Sequence, residues 1–219
     1  ADASLDGTQR ALLAAYLDQG GRLLALGQNL AQASDVNPDA DPTWGRSALY
    51  HHYLGAHWLQ GALYGAGGYP PSQTPSVQAV PGSFLQGVRL DLGNVGDGDS
   101  NQSSIDEIAP GGLPDGSDAD LVHPLLFATG GTPLGAGYVA VAKSAEPSLE
   151  RPFRDLPYRS LYHSFGLEGV NNNTGFTTRA ELLTRSIDWL RDEVTVTLTS
   201  PAVGGAHRLV TLSCAATSS

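Results

Sequence analysis

The sequence predicts an α/β fold, on three observations. Residues Thr8 to Leu30, TQRALLAAYLDQGGRLLALGQNL, read as a helix, a Gly-Gly stop and a short apolar strand, which together make a crossover unit. Residues Thr177 to Arg191, TTRAELLTRSIDWLR, give a second amphipathic helix. Between them lie short alternating apolar runs broken by Gly and Pro, the pattern of strands and turns.

With 219 residues and a net charge of −10, the chain has room for one domain, or one domain and the start of another. No apolar run is long enough to cross a bilayer. The acidic balance argues against nucleic acid, because phosphate binding needs clustered basic residues. It fits a soluble or secreted protein, and the expected location is secreted or cell-surface. Lys143 is the only lysine, a bias that follows genome base composition more often than function. The first residue is alanine and the chain has no methionine, as expected of a piece of a longer precursor. Cys214 is the only cysteine, so no disulfide forms within the chain. Its alternating apolar setting reads as a buried, inert thiol.

In the first helix, Leu12, Leu13, Tyr16 and Leu17 fall at helical spacing and form the expected buried face. Asp6 or Thr8 is the expected cap. Gly20 and Gly21 end the helix, because glycine accepts the left-handed geometry of a helix terminus. Arg22 to Leu26 reads as a strand buried on both faces, closed by Gly27. In open α/β sheets, ligands sit beyond the C-terminal ends of such strands. Gln28 and Asn29 are therefore the first binding candidates. As residue types they are also turn formers that bond to local backbone.

Gln32 to Thr43 reads as a polar loop. Ser47 to Gln60 reads as a helix with Leu49, Tyr53, Leu54 and Trp58 on its apolar face, and Gly61 to Thr74 as a loop. Val77 and Ala79, then Phe84, Val88, Leu90 and Leu92, predict short strands broken at Pro81-Gly82. Gly93 to Asp120 is a long polar loop. Leu121 to Thr129 and Gly137 to Ser144 predict an inserted β-hairpin around Gly130, Gly131 and Gly135. After a loop from Ala145 to Pro157, Tyr158 to Gly166 is a strand and Asn171 to Asn173 a turn. The second helix is capped by Thr177 or Thr178, with Glu181 near its positive end and Leu183, Ile187 and Leu190 as its stripe. Beyond Glu193 the strict alternation of VTVTLTSP and HRLVTLSCAATSS predicts a β-strand tail or the start of an immunoglobulin-like domain. The predicted domains are thus 1–193 and 194–219.

The polar loop holds the strongest metal candidate. Asp97, Asp99 and Asn101 have the D-x-D-x-N spacing of calcium loops, with Asp91, Asn94, Asp106 and Glu107 nearby. Gln102 stands where an EF-hand needs glycine, and Ile108 where it needs glutamate, so a full EF-hand is excluded and a looser calcium site is what remains. The cofactor reading is none, or calcium. His51, His52 and His57 do not share the i, i+4 spacing of helical zinc pairs and read as packing or surface histidines. Trp44, Tyr50, Trp58, Tyr64 and Tyr69 offer either a recognition surface or core and rim, the second being the commoner use. No G-x-S-x-G is present.

Taken in order, TQRALLAAYLDQGGRLLALGQNLA, YHHYLGAHWLQ, LDLGNVGDGDSNQSSIDEI, YRSLYHSFGLEGVNN and TRAELLTRSIDWL resemble an accessory domain of large secreted bacterial proteins. Many of those are peptidases, including subtilisin-like ones. The domain is of the class I glutamine amidotransferase-like, or flavodoxin-like, group. The resemblance spans about residues 5–192. It implies a partial sheet of that kind, with the N-terminal part of the domain missing. The partners it implies are other domains of the parent chain, or a second copy paired through an open sheet edge.

The resemblance also places Gln28 roughly where an active amidotransferase of the group carries its cysteine nucleophile. An amide cannot attack a carbonyl. Glu168, in Phe165-Gly166-Leu167-Glu168, is the retained acid, and His163 lies earlier on the strand. The implied function is a non-catalytic accessory domain of a secreted, subtilisin-like serine peptidase, with Gln28, Asn29 and Glu168 as binding residues. The alternative is a divergent hydrolase or amidotransferase-like enzyme using Glu168.

Overall fold

The computed structural model describes residues 5–30, 49–64, 76–102, 104–111, 121–145 and 158–191. The tail 194–219, the boundary near 193, Trp44, Tyr69 and Cys214 lie outside the described residues.

Helix α1 spans Gly7–Asp18. Asp6 accepts from the Gln9 amide, and the Gln9 side chain accepts in return from the Asp6 amide, closing a capping box. At the other end the Gly20 amide bonds the Leu17 carbonyl and the Gly21 amide the Tyr16 carbonyl, with Gly20 at φ 81°. This is a Schellman termination, and the left-handed residue it needs is the predicted glycine. The buried face differs from expectation. Ala14 and Leu17 are buried, whereas Leu12 is 66% and Tyr16 49% exposed. Among the described residues, Leu5, Leu23, Leu49, Tyr53 and Tyr158 pack with Leu13, Ala14 and Leu17 on the buried side.

Eight strands follow the helix and α2 closes the described chain. The strands are β1 (Arg22–Leu26), β2 (Ala56–Gln60), β3 (Val77–Ala79), β4 (Arg89–Leu90), β5 (Glu107–Pro110), β6 (Val122–Ala128), β7 (Tyr138–Ala145) and β8 (Tyr158–His163); α2 is Arg179–Arg191. Six strands form one mixed sheet in the order β1-β8-β7-β6-β3-β4. Only β1 and β8 run parallel, with Leu24 opposite Leu161 and Leu26 opposite His163; the other pairings are antiparallel. The predicted hairpin is β6–β7, an integral part of this sheet. The protein is therefore mixed α/β.

Each face of the sheet carries its own core. On one side, Leu182 and Leu190 of α2 meet Leu161, Phe165, Leu126 and Ala142. On the other, Tyr50, Leu54, Ala56 and Ile108 meet Val141 and Tyr162. Strand β1 does feed both sides, Leu24 one way and Leu23 and Ala25 the other. Yet all five of its residues are only half-buried, and among the described strands it stands at the end of the sheet. Its first position is closed by Tyr16, whose hydroxyl bonds both the amide and the carbonyl of Arg22.

Three further expectations are corrected. Ser47 to Gln60 is not one helix: Leu49–Leu54 forms a single π-helical turn, and Ala56–Gln60 is β2, paired with β5. Gly55, at φ 68°, joins the two. A β-carbon there would come within 2.8 Å of Val122, so only glycine fits this junction. The long polar loop is interrupted by β5, whose Glu107 and Ile108 are fully buried. In α2 the buried stripe is Leu182, Ser186 and Leu190, while Ile187 is 38% exposed.

Candidate functional site

Parallel pairing sets the C-terminal ends of β1 and β8 side by side. The turn after β1 begins at Gly27, at φ 148°, whose amide donates to the His163 carbonyl over 3.2 Å. Asn29 follows at φ 61°, a left-handed conformation that asparagine tolerates better than most residues. Between them Gln28 reaches outward. Its Nε2 donates to the Asn101 carbonyl at 2.8 Å, and its Oε1 accepts from the Ser104 amide at 2.8 Å. Both ends of the carboxamide are thus committed to the loop that crosses above the turn.

The same loop is fastened to the chain beyond β8. Gln102 is buried; its Oε1 accepts from the Gly166 amide at 2.8 Å and its Nε2 donates to Asn101 Oδ1 and Glu168 Oε1. The Asp99 amide donates to the Glu168 carbonyl. Glu168 is exposed, and its Oε1 also accepts from Asn101 Nδ2 at 3.5 Å. Gln28 and Glu168 therefore approach one another through Asn101 and Gln102, as the sequence could not have indicated. Asn29 takes part only as the turn residue.

Asn171, Asn172 and Asn173 continue the fastening. Asn171 is fully buried, accepts from the Gly98 amide at 2.7 Å and donates to the Gly93 carbonyl at 2.8 Å. Asn172 donates twice to Asp97, from its amide at 2.7 Å and its Nδ2 at 2.8 Å. Asn173 Nδ2 donates to Asp91 Oδ2 at 2.7 Å. Arg179 adds an ion pair to Asp97 at 2.5 Å. The bonds from Asn172, then the Arg179 charge, hold the Asp97 carboxyl below its usual range.

The calcium candidates fall on this loop. Both oxygens of Asp97 are engaged by Asn172 and Arg179, and the Asn101 side-chain oxygen accepts from Gln102. An ion held by Asp97, Asp99 and Asn101 competes with these partners for the same oxygens. Among the described residues, no group of three or more His, Cys, Asp or Glu side chains is placed to hold a metal.

His163 occupies the last position of β8. It is 1% exposed, and its ring lies 5.3 Å from that of Phe165. Neither ring nitrogen has a hydrogen-bond partner. Burial pulls its pKa down to about 4, so the imidazole is neutral near pH 7. Ser164 points the opposite way, donating to the Asp106 carbonyl at 2.6 Å, as strand alternation requires. The two neighbours in sequence do not form a serine–histidine couple.

The sequence groups Glu107 with the calcium candidates, but the structure commits its carboxylate to another turn. Glu107 is fully buried under the β6–β7 turn and accepts from the amides of Leu134, Gly135 and Gly137 and from Gln60 Nε2, at 2.6–2.9 Å. Burial alone would raise its pKa; the bonds from Gln60 and the three amides outweigh that and leave it lowered. Its signal in the sequence is faint: one acid directly before Ile108, at a distance from the glycine-rich turn it serves. Among the aromatic candidates, Tyr50 is 1% exposed, Trp58 donates to Asp106 and Tyr64 to the Ser76 carbonyl, so these three are core and rim.

Comparison of the chain with protein-family models, with curated proteins and with solved structures finds no match in any of the three.

Proposed function

We propose that this chain is a non-catalytic accessory domain of a secreted bacterial peptidase, of the class I glutamine amidotransferase-like, flavodoxin-like group. The observation that carries the reading is Gln28. The turn that an amidotransferase would use for its nucleophile holds a carboxamide tied at both ends to Asn101 and Ser104. Nucleophilic attack needs an exposed reactive atom beside a base. Gln28 supplies neither, and the nearby imidazole of His163 is buried against Phe165. Support for the fold group comes from the parallel β1–β8 pair, with α1 packed on one side and α2 on the other.

In this reading the domain serves structure and assembly, with other domains of the parent chain as its partners. The exposed Leu12 and Tyr16 of α1 provide apolar surface for such a neighbour. A homodimer through the outer edge of β1 is the second assembly mode, and sedimentation of the isolated chain separates the two. Calcium at Asp97, Asp99 and Asn101 is an accessory part of the reading, tested by melting with calcium and with chelator.

The function itself is tested by assaying the 219-residue chain against amide, ester and peptide substrates beside its Glu168→Gln variant. The expected result is no turnover by either. Turnover that disappears in Glu168→Gln overturns the reading in favour of a divergent hydrolase.

A further inference from the structure

Strand β3 is shorter than β6, with which it pairs. Val77, Gln78 and Ala79 lie against Ala128, Phe127 and Leu126, whereas β6 extends to Val122. The Val80 amide makes one more bond, to the Leu125 carbonyl at 2.8 Å. The chain then turns away through Pro81 and Gly82, with Gly82 at φ 83° and the Ser83 amide bonded to the Val80 carbonyl at 3.1 Å. Proline followed by glycine at the centre is the pattern of a type II turn. Beside His123 and Pro124 the sheet is thus left without β3, and a cavity of about 410 Å³ opens there.

Aromatic rings wall this cavity. Phe84, directly after the turn, stacks on Trp189 of α2 with ring centres 5.0 Å apart and planes inclined at 11°. Arg185 holds the segment to the helix, donating to the Phe84 carbonyl at 3.0 Å and the Gln86 carbonyl at 2.9 Å. Buried Leu125 and Ala142 of the sheet add to the apolar lining. Two side chains in the lining are polar. Among the described residues nothing bonds the Oγ of Ser83, which is shut off from solvent. A buried hydroxyl without a partner is costly, and rotation about χ1 lets it meet a new one. The second is His123, which is exposed.

This lining selects a class of ligand. The volume is that of a small-molecule pocket. None of the described lining residues carries a carboxylate, ammonium or guanidinium, so a charged ligand would lose water with no opposite charge in return. A sugar brings more hydroxyls than the side chains of Ser83 and His123 can answer. We propose that the cavity binds a small uncharged aromatic compound bearing one hydroxyl. Its ring packs on the Phe84–Trp189 wall, and its hydroxyl, both donor and acceptor, bonds Ser83 and His123. The site shares no lining residue with the Gln28 turn, so it stands or falls apart from the reading of that turn.

The test titrates the full 219-residue chain with 2-naphthol by calorimetry. One equivalent is expected to bind, and naphthalene-2-sulfonate, the same ring with a fixed negative charge, at least tenfold more weakly. Ser83→Ala and His123→Ala are each expected to weaken 2-naphthol binding by roughly three- to tenfold, the worth of one hydrogen bond. Leu12→Ser, on the exposed face of α1, is expected to bind as the parent does. Nuclear Overhauser contacts in the parent chain guard against misfolded variants: naphthol ring protons are expected to meet those of Phe84, Trp189 and His123. Contacts with Leu12 or Tyr16 in their place overturn the proposal. So does the absence of 2-naphthol binding, equal binding of the sulfonate, or unchanged affinity in folded Ser83→Ala and His123→Ala.

Discussion

Gln28 and Asn101 stand 73 residues apart in the chain, yet the side chain of the first holds the backbone of the second over 2.8 Å. The other end of the same amide takes the Ser104 amide proton, so one side chain bridges the end of β1 to the loop before β5. Replacing Gln28 by alanine leaves a carbonyl and an amide without these partners. Each lost bond is worth about 0.5–1.5 kcal/mol. Gln28→Ala is expected to lower unfolding stability by about 1–3 kcal/mol in urea titration and to speed amide exchange at Ser104. A Gln28→Cys variant is expected to show no thiol-dependent hydrolysis, because a thiol alone does not supply the missing base.

His163 predicts how stability depends on acid. Its folded pKa of about 4 lies below the unfolded value of 6.5, because burial disfavours the imidazolium. Below pH 6.5 the unfolded chain takes up a proton that the folded chain refuses until about pH 4. Stability is therefore complete above pH 6.5 and declines as pH falls towards 4, by on the order of 3 kcal/mol when the difference is fully expressed. His163→Leu is expected to flatten this part of the profile. Denaturation midpoints between pH 7 and 4 measure it, and an unchanged slope in the variant contradicts the assignment to His163. Asp97 and Glu107, both with lowered pKa, lose their share of stability only at lower pH, as their carboxylates protonate.

Glu107 gives the third expectation. Its carboxylate collects three backbone amides from the β6–β7 turn and one from Gln60. Removing a buried group with several charge-assisted bonds strands every partner. Glu107→Ala is expected to cost about 3–5 kcal/mol. Glu107→Gln keeps one acceptor oxygen and is expected to cost less. Hydrogen exchange should show the loss at Leu134, Gly135 and Gly137 before it reaches the sheet.

The parts of the fold that were legible are those with local causes. Asp6 and Gln9 cap α1 through neighbours three apart, Gly20 ends it, and Thr178 receives the Glu181 amide at the start of α2. The β6–β7 hairpin also follows from nearby glycines. Elements with distant causes were misread. Leu49 to Gln60 has a helical apolar pattern, but Gly55 and pairing with β5 divide it. Ile105 and Ile108 are buried within a segment whose composition reads as solvent-facing loop.

At the candidate site, Gln28 and Glu168 were visible as residues at strand ends. Their link through Gln102 was not, because a side-chain amide carries no sign in sequence of which distant backbone it will meet. Asn171 to Asn173 look like turn residues for the same reason. Their partners, from Asp91 to Gly98, lie about eighty residues earlier.

The segment 91–102 has the makeup of a protease target, mostly glycine, aspartate and asparagine, with Leu92 and Val95 as its apolar residues. Cleavage requires a dozen or so residues to peel away and thread an enzyme's groove. Here Asn171 sits under Gly96 so tightly that even one added methyl at that glycine would collide with its Oδ1 at 2.2 Å. Digestion should spare this stretch in the folded chain, so neither a cut nor a tag placed there by reading its letters alone would find slack.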